Sequence, residues 1–222
     1  MEGFHNKIGV MAGTYVDTKM GVDFLRTKGH EALGLPLSVN PKEQSRLQIL
    51  SKTELYKMVV DKINQAKAKK IQAIFVYCNS LSAAVNMDKI SKEENIRIIT
   101  PFHFYEDIGD TYSSLFIMGA NAQSCERVEQ VLEASNPSIR LWSLSILALV
   151  EAIEEGIDPE TIFKNHGLDK ILDFVKCNNI EAILLACTHF PYLEETIKRN
   201  TDTLIINPAE GMYAKLIKLL FG

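Results

Sequence analysis

The chain carries one stretch twice. Residues 71–78 read Ile-Gln-Ala-Ile-Phe-Val-Tyr-Cys, and residues 180–187 read Ile-Glu-Ala-Ile-Leu-Leu-Ala-Cys. Each is an apolar run, bounded by polar residues and too short for a helix, which predicts a buried strand. Each ends in a cysteine followed by small polar residues: Cys78-Asn79-Ser80 in the first, Cys187-Thr188-His189 in the second. A helix-like segment follows each, from Leu81 to Ile90 and from Phe190 to Ile197. Both cysteines are thus predicted at the carboxyl end of a strand and the mouth of a helix.

Two more pairs keep step. Ile8-Gly9-Val10-Met11-Ala12-Gly13 is echoed by Phe116-Ile117-Met118-Gly119-Ala120-Asn121, and Ile98-Ile99-Thr100-Pro101 by Ile205-Ile206-Asn207-Pro208. Met118 follows Met11 by 107 positions, Pro208 follows Pro101 by 107, and Cys187 follows Cys78 by 109. Three pairs in one order at nearly one offset indicate an internal duplication. The 222 residues then divide into two pseudo-symmetric halves, predicted as 1–103 plus 208–222 and 104–207.

Between the repeats, strands and helices alternate. Lys7 to Met11 reads as a strand, and Gly21 to Lys28 as a helix capped by Thr14, Asp17 or Thr18. Asn40-Pro41 is a turn signal. Thr53 to Lys70 has its apolar residues Leu55, Met58, Val59, Ile63 and Ala66 at helical spacing. The lysines at 67, 69 and 70 read as the solvated end of that helix. Ile96 to Thr100 and Thr203 to Ile206 are further strands, with a crossover at residues 101–104. Helices are predicted at Ser124 to Ala134, Leu144 to Glu155 closed by Gly156, Leu168 to Asn178, and Tyr213 to Phe221. Such alternation predicts an α/β fold of two parallel-sheet, Rossmann-like domains of flavodoxin type. In open parallel sheets, ligands bind beyond the carboxyl ends of the strands, where both cysteines fall.

Several function classes are disfavoured. A net charge of −4 argues against nucleic acid or an anionic membrane as the partner. No window holds the roughly 18 uncharged apolar residues of a membrane helix. The first seven residues lack a signal peptide's apolar region, which predicts a cytoplasmic protein whose cysteines (78, 125, 177 and 187) are reduced thiols. No cysteine pair has CxxC spacing and the histidines are scattered, so no metal site is predicted. A phosphatase loop needs arginine six residues after its cysteine; Ala84 and Leu193 stand there. There is neither a GxGxxG nor a P-loop.

The chemistry that suits two such thiols is proton transfer. A free thiol has a pKa of about 8.5, and a helix N-terminus favours its thiolate. If one thiolate removes a proton from one face of a carbon and one thiol protonates the other face, the centre inverts. Asn79, Ser80, Thr188 and neighbouring amides can hold a substrate carboxylate. A single buried cysteine after a strand is more often packing; two at equivalent positions reverse that weighting. Cys125 and Cys177 lack such surroundings and read as packing residues.

At these residues the sequence resembles the cofactor-independent aspartate/glutamate racemase superfamily. The first-half mark is Cys78-Asn79-Ser80, and the second is Ala186-Cys187-Thr188-His189-Phe190-Pro191, close to the pattern of glutamate racemases. The resemblance implies two α/β domains with the active site between them, no pyridoxal phosphate or other cofactor, a small amino acid with a distal carboxylate as substrate, and a homodimer. It implies Cys78 as the base for the D-isomer and Cys187 for the L-isomer, with Gly13, Thr14, Asn79, Ser80, Asn121, Thr188 and His189 contacting substrate. Asn40-Pro41 with Arg46 resembles the Asn-Pro…Arg stretch of aspartate racemases and makes Arg46 the candidate for the distal carboxylate, against a plain surface arginine; Arg140 is a second candidate cation. His189 assists Cys187 or simply bonds the backbone. The chain departs from glutamate racemases after the first strand, where Ala12-Gly13 replaces an Asp-Ser pair and Asp17 comes several positions late. A hydantoin racemase or maleate isomerase, or a silent dicarboxylate-binding protein, are the alternatives.

Overall fold

Two parallel four-stranded sheets, built from the two halves of the chain, share one strand order. The computed structural model describes residues 7–38 and 50–221. The first sheet comprises β1 (Lys7–Ala12), β2 (Glu31–Pro36), β3 (Ala73–Val76) and β4 (Arg97–Ile99), in the order β2-β1-β3-β4. The second comprises β5 (Ser114–Gly119), β6 (Arg140–Ser145), β7 (Ala182–Ala186) and β8 (Leu204–Ile206), in the order β6-β5-β7-β8. Every pairing is parallel. The order reverses between β1 and β3, and again between β5 and β7. Those are the points at which a doubly wound sheet opens a crevice.

The duplication reaches the turns. Lys70 and Asn179 both adopt left-handed backbone, with φ of 58° and 50°, just ahead of β3 and β7. They lie 109 residues apart, the same offset as the two cysteines. Neither is glycine, so both halves hold an otherwise disfavoured conformation at the entry to the central strand.

The described chain divides into two compact units: one runs to Pro101 and resumes at Met212, the other is Phe102–Gly211. In the first, β1 and β3 are almost wholly buried, with Ile8, Val10, Met11, Ile74, Phe75 and Val76 inaccessible. Helices α1 (Tyr15–Thr27) and α2 (Lys52–Ala68) flank this sheet, and each starts on a capping box, Thr14 with Asp17 and Ser51 with Glu54. The segment after β3 is two short helices, α3 (Asn79–Ala84) and α4 (Met87–Glu93), because Val85 is extended and Asn86 caps a new start.

In the second unit, α5 (Pro101–Ile108) and α6 (Ala122–Ser135) precede a group of α7 (Leu147–Glu154), α8 (Pro159–Asn165) and α9 (Leu168–Cys177). Ile183, Leu185, Leu149, Ile162, Leu172 and Val175 form the core beneath that group. A 3₁₀ turn (Phe190–Leu193) and α10 (Glu194–Arg199) follow β7, and α11 (Pro208–Phe221) ends the chain.

Several boundaries differ from the sequence expectation. Arg140–Ser145 is an edge strand, not the approach to a helix beginning at Leu144; its residues are mostly half-buried or exposed, so no apolar run marks it. Residues 101–104 open a helix instead of a crossover loop. Pro101 and Pro208 each occupy a first helical position, where the missing N–H costs nothing.

Candidate active site

Each unit presents one cysteine where the chain leaves the strand at its crevice point. In the first unit, Cys78 caps α3. Its backbone is extended, and its sulfur accepts a hydrogen bond from the Leu81 N–H at 3.5 Å. Ser82 Oγ donates to the Cys78 carbonyl at 2.8 Å and pins the turn. Cys78 and Asn79 are each 3% exposed, and Ser80 is half-buried. On the neighbouring strand, the Tyr77 N–H donates to Met11 O at 2.8 Å. The chains therefore leave β1 and β3 side by side, and the Gly13-Thr14 turn flanks Cys78.

That turn is organised by an acid the sequence reading set aside. Asp17 Oδ2 accepts from the Gly13 N–H at 3.1 Å, while Oδ1 accepts from the Thr14 N–H at 2.7 Å and the Thr14 hydroxyl at 3.1 Å. Thr14 and Asp17 are both inaccessible to solvent. Asp17 comes late in the chain, yet the first turn of α1 folds its carboxylate back to the end of β1. Ser38 N–H donates to Gly13 O at 2.8 Å and fastens the end of the β2 loop to the same turn.

In the second unit, Asn121 caps α6, its Oδ1 accepting from the Ser124 N–H at 2.9 Å. Cys187 follows β7, with Thr188 buried beside it. The Cys187 sulfur lies 3.8 Å from His189 Nδ1, and His189 Nε2 lies 2.8 Å from Glu154 Oε1. His189 is 2% exposed. His189 thus stands between the thiol and the carboxylate, with Nδ1 toward the sulfur and Nε2 toward Glu154.

Cys125 is a packing residue. Its sulfur sits against Gly119, where a Cβ would lie 2.4 Å away. Burial, followed by the charges of Glu129 and Cys187, pushes its thiol up to about 11. Cys177 is exposed at the end of α9. Among the described residues, no group of three His, Cys, Asp or Glu side chains has metal-ligating geometry, and no helix is long and apolar enough to cross a membrane.

No protein-family model matches the sequence. Glutamate racemase of Clostridium kluyveri is 26% identical over 172 residues, which cover 75% of this chain and 66% of that one. Glutamate racemase of Francisella tularensis, solved in complex with D-glutamate, superposes with a TM-score of 0.73 at 21% identity, covering 98% of this chain and 81% of that one. An aspartate racemase homologue from Pyrococcus horikoshii superposes at 0.64 with 15% identity, covering 96% and 98%.

The chain is similar to proteins of the aspartate/glutamate racemase superfamily and shares their fold. It spans just under two thirds of the length of its Clostridium relative. Its first unit brings Gly13, Thr14, Cys78, Asn79 and Ser80 to the carboxyl edge of one sheet. Its second brings Asn121, Cys187, Thr188 and His189 to the same edge of the other. Arg46 lies outside the described residues, as does the Asn40-Pro41 turn. Arg140 opens β6, at the far end of the sheet from Cys187, and its guanidinium lies over the Trp142 ring, 5.7 Å from the centroid. It is therefore removed as a second substrate cation.

Glu154 was missed by sequence reasoning. No motif marks it, but one anomaly does. It is an acid in the last turn of α7, where the helix dipole favours a cation. A carboxylate set against the dipole needs a partner, and His189 is that partner.

Proposed function

We propose that the protein is an amino-acid racemase for aspartate or glutamate, working without cofactor through Cys78 and Cys187. The observation that carries this reading is the paired placement of the two cysteines. Each follows the central strand of the same four-strand order, and each is buried where the chain turns from that strand into the next helical segment. Relatives called glutamate racemase, one of them seen with D-glutamate, support the substrate class. The aspartate racemase homologue matches over nearly its whole length and keeps aspartate in the proposal.

The proposed reaction breaks one C–H bond and makes another on the opposite face. Cys187, as thiolate, takes the α-proton of the L-isomer; Cys78, as thiol, protonates the carbanion from the other side. Afterwards Cys187 carries the proton and Cys78 is the thiolate, ready for the D-isomer. The reaction needs each sulfur about 3–3.5 Å from one α-carbon. Because the α-proton is very weakly acidic, fixed N–H and hydroxyl donors near Asn79, Ser80, Asn121 and Thr188 must stabilise the carbanion and hold the carboxylates. Arg46 remains our candidate for the distal carboxylate. Four free thiols suit a reducing, cytoplasmic setting, and a homodimer is the assembly the resemblance implies.

Incubation with each isomer of aspartate and glutamate in deuterated water tests the proposal. Loss of optical rotation together with α-deuterium uptake supports it. Binding without exchange replaces it with a dicarboxylate-binding protein.

A further inference from the structure

The two halves differ at the residue ahead of each cysteine. Tyr77 precedes Cys78, whereas Ala186 precedes Cys187. The helix that packs after the first strand of each half differs in the opposite sense. Seven positions past its cap, α1 has Gly21 after Thr14, and α6 has Val128 after Asn121. All four of these residues are buried. Relative to the second half, the first has bulk on the strand and none on the helix. We propose that Tyr77, seated on Gly21, is a positioning residue for Cys78. This deepens the racemase reading and rests on it.

A glycine inside a helix weakens the helix, so its place in α1 has a reason. A Cβ on Gly21 would lie 2.7 Å from Val10 Cγ1, 2.8 Å from Tyr77 Cγ and 3.0 Å from Tyr77 Cβ. Tyr77 thus meets the helix with the root of its side chain and not the tip. No swing of the ring carries Cβ away, so a larger residue at position 21 has to move main chain. The ring is also clamped from the side. It stacks on Phe75 at 6.0 Å with 17° between the planes, Phe75 stacks on Phe24 at 6.2 Å, and Phe24 meets Tyr213 edge-on at 6.1 Å. A column of four rings links α11, through α1 and β3, to the residue beside Cys78.

Cys78 inherits that placement. Its Cα lies about 3.8 Å from that of Tyr77 across one rigid peptide. Upstream, the Tyr77 N–H is bonded to Met11 O at 2.8 Å. Downstream, the Ser82 N–H and hydroxyl both donate to the Cys78 carbonyl, at 3.1 and 2.8 Å. The cysteine sits between two fixed points. Proton transfer needs its sulfur at near-attack distance, and a misplacement of about 1 Å costs on the order of 100-fold in rate. Ala186 gives Cys187 no such wedge; the group beside that sulfur is His189, at 3.8 Å. One thiol is placed by packing, and the other has an imidazole at its side.

The test is Gly21→Ala in the intact protein, incubated with the L- and D-isomers of glutamate and aspartate in deuterated water. Displacing Cys78 slows protonation on its own face but leaves Cys187 able to remove the α-proton of the L-isomer. The carbanion then returns to the L-isomer, taking deuterium once the Cys187 thiol has exchanged with solvent. The expected result is a fall in racemisation of about tenfold or more. The ratio of α-deuterium in recovered L-isomer to inversion should rise by a similar factor. A general loss of active protein lowers exchange and inversion together and leaves the ratio alone. An unchanged ratio in folded Gly21→Ala therefore overturns the proposal. If that variant does not fold, Tyr77→Leu, which empties the space instead of overfilling it, should raise the same ratio, and an unchanged ratio there is equally contrary. Should the wild type invert none of the four amino acids, the racemase reading fails, and NMR of 13Cβ-cysteine protein decides this one separately. Resonances assigned by single Cys→Ser substitutions should show Cys78 displaced in Gly21→Ala, with Cys125 and Cys187 unmoved. An unmoved Cys78 resonance overturns the positioning role.

Discussion

His189 stands between Cys187 and Glu154, 3.8 Å from the sulfur through Nδ1 and 2.8 Å from the carboxylate through Nε2. All three side chains are buried or nearly so. A neutral imidazole that donates from Nε2 to Glu154 has its Nδ1 lone pair aimed at the thiol. Once protonated, it becomes a cation flanked by two anions. The imidazole is therefore held toward the Cys187 sulfur by its bond to Glu154.

Removing either partner should slow the direction that begins at Cys187. His189→Asn is expected to lower kcat for the L-isomer by about 100-fold, within the usual range for a positioned acid/base group. Glu154→Gln, which keeps a hydrogen bond to Nε2 but not its charge, should have a smaller effect in the same direction. Because the equilibrium constant of a racemisation is one, kcat/KM must fall equally from the two isomers, and the difference between directions is read in kcat. Initial rates measured separately from the L- and D-isomers check this, and equal losses in KM would point to substrate binding instead.

The cysteines should differ sharply in reactivity. Cys177 is exposed, whereas Cys125 is buried with its thiol raised to about 11. At pH 8, iodoacetamide should label Cys177 first and leave Cys125 unmodified, as read by peptide mass spectrometry. The pH sign follows from the same shift. The native value lies above the unfolded one of about 8.5, so the thiol's contribution to stability is complete below that pH. It is lost as pH rises toward about 11. Cys125→Ala should remove that part of the alkaline destabilisation.

Gly211 is a packing requirement of the last helix. A Cβ there would lie 2.0 Å from Phe104 Cδ2, with two further ring carbons within 2.6 Å. Gly211→Ala should cost about 1–3 kcal/mol, the range for overpacking a filled site. Adding Phe104→Leu should recover part of that loss, so a denaturant-melt cycle of the two variants should be clearly non-additive. Additive losses would mean the ring is not the obstacle.

Much of the fold is written in runs and offsets. The apolar strands β3 and β7 are continuous and buried, so the repeat that ends in Cys78 and Cys187 identifies them directly. β6 escapes the same reasoning because an edge strand needs no apolar face, and its polar residues merge into the helix that follows. The site shows a similar division. Cys78, Asn79, Cys187 and His189 are adjacent in sequence and announce themselves. Asp17 and Glu154 do not, because each reaches its place through helix geometry. Asp17 returns along one turn of α1 to Gly13, and Glu154 crosses 35 residues of chain to His189. Distance along the sequence carries no record of either approach.

The central claim is that two thiols invert one carbon, and substitution of each thiol in turn tests it most directly. Purified Cys78→Ala and Cys187→Ala proteins, confirmed as folded, would be incubated with both isomers of aspartate and glutamate and followed by polarimetry. The account predicts that each variant loses racemisation entirely. Full activity in either one would contradict it.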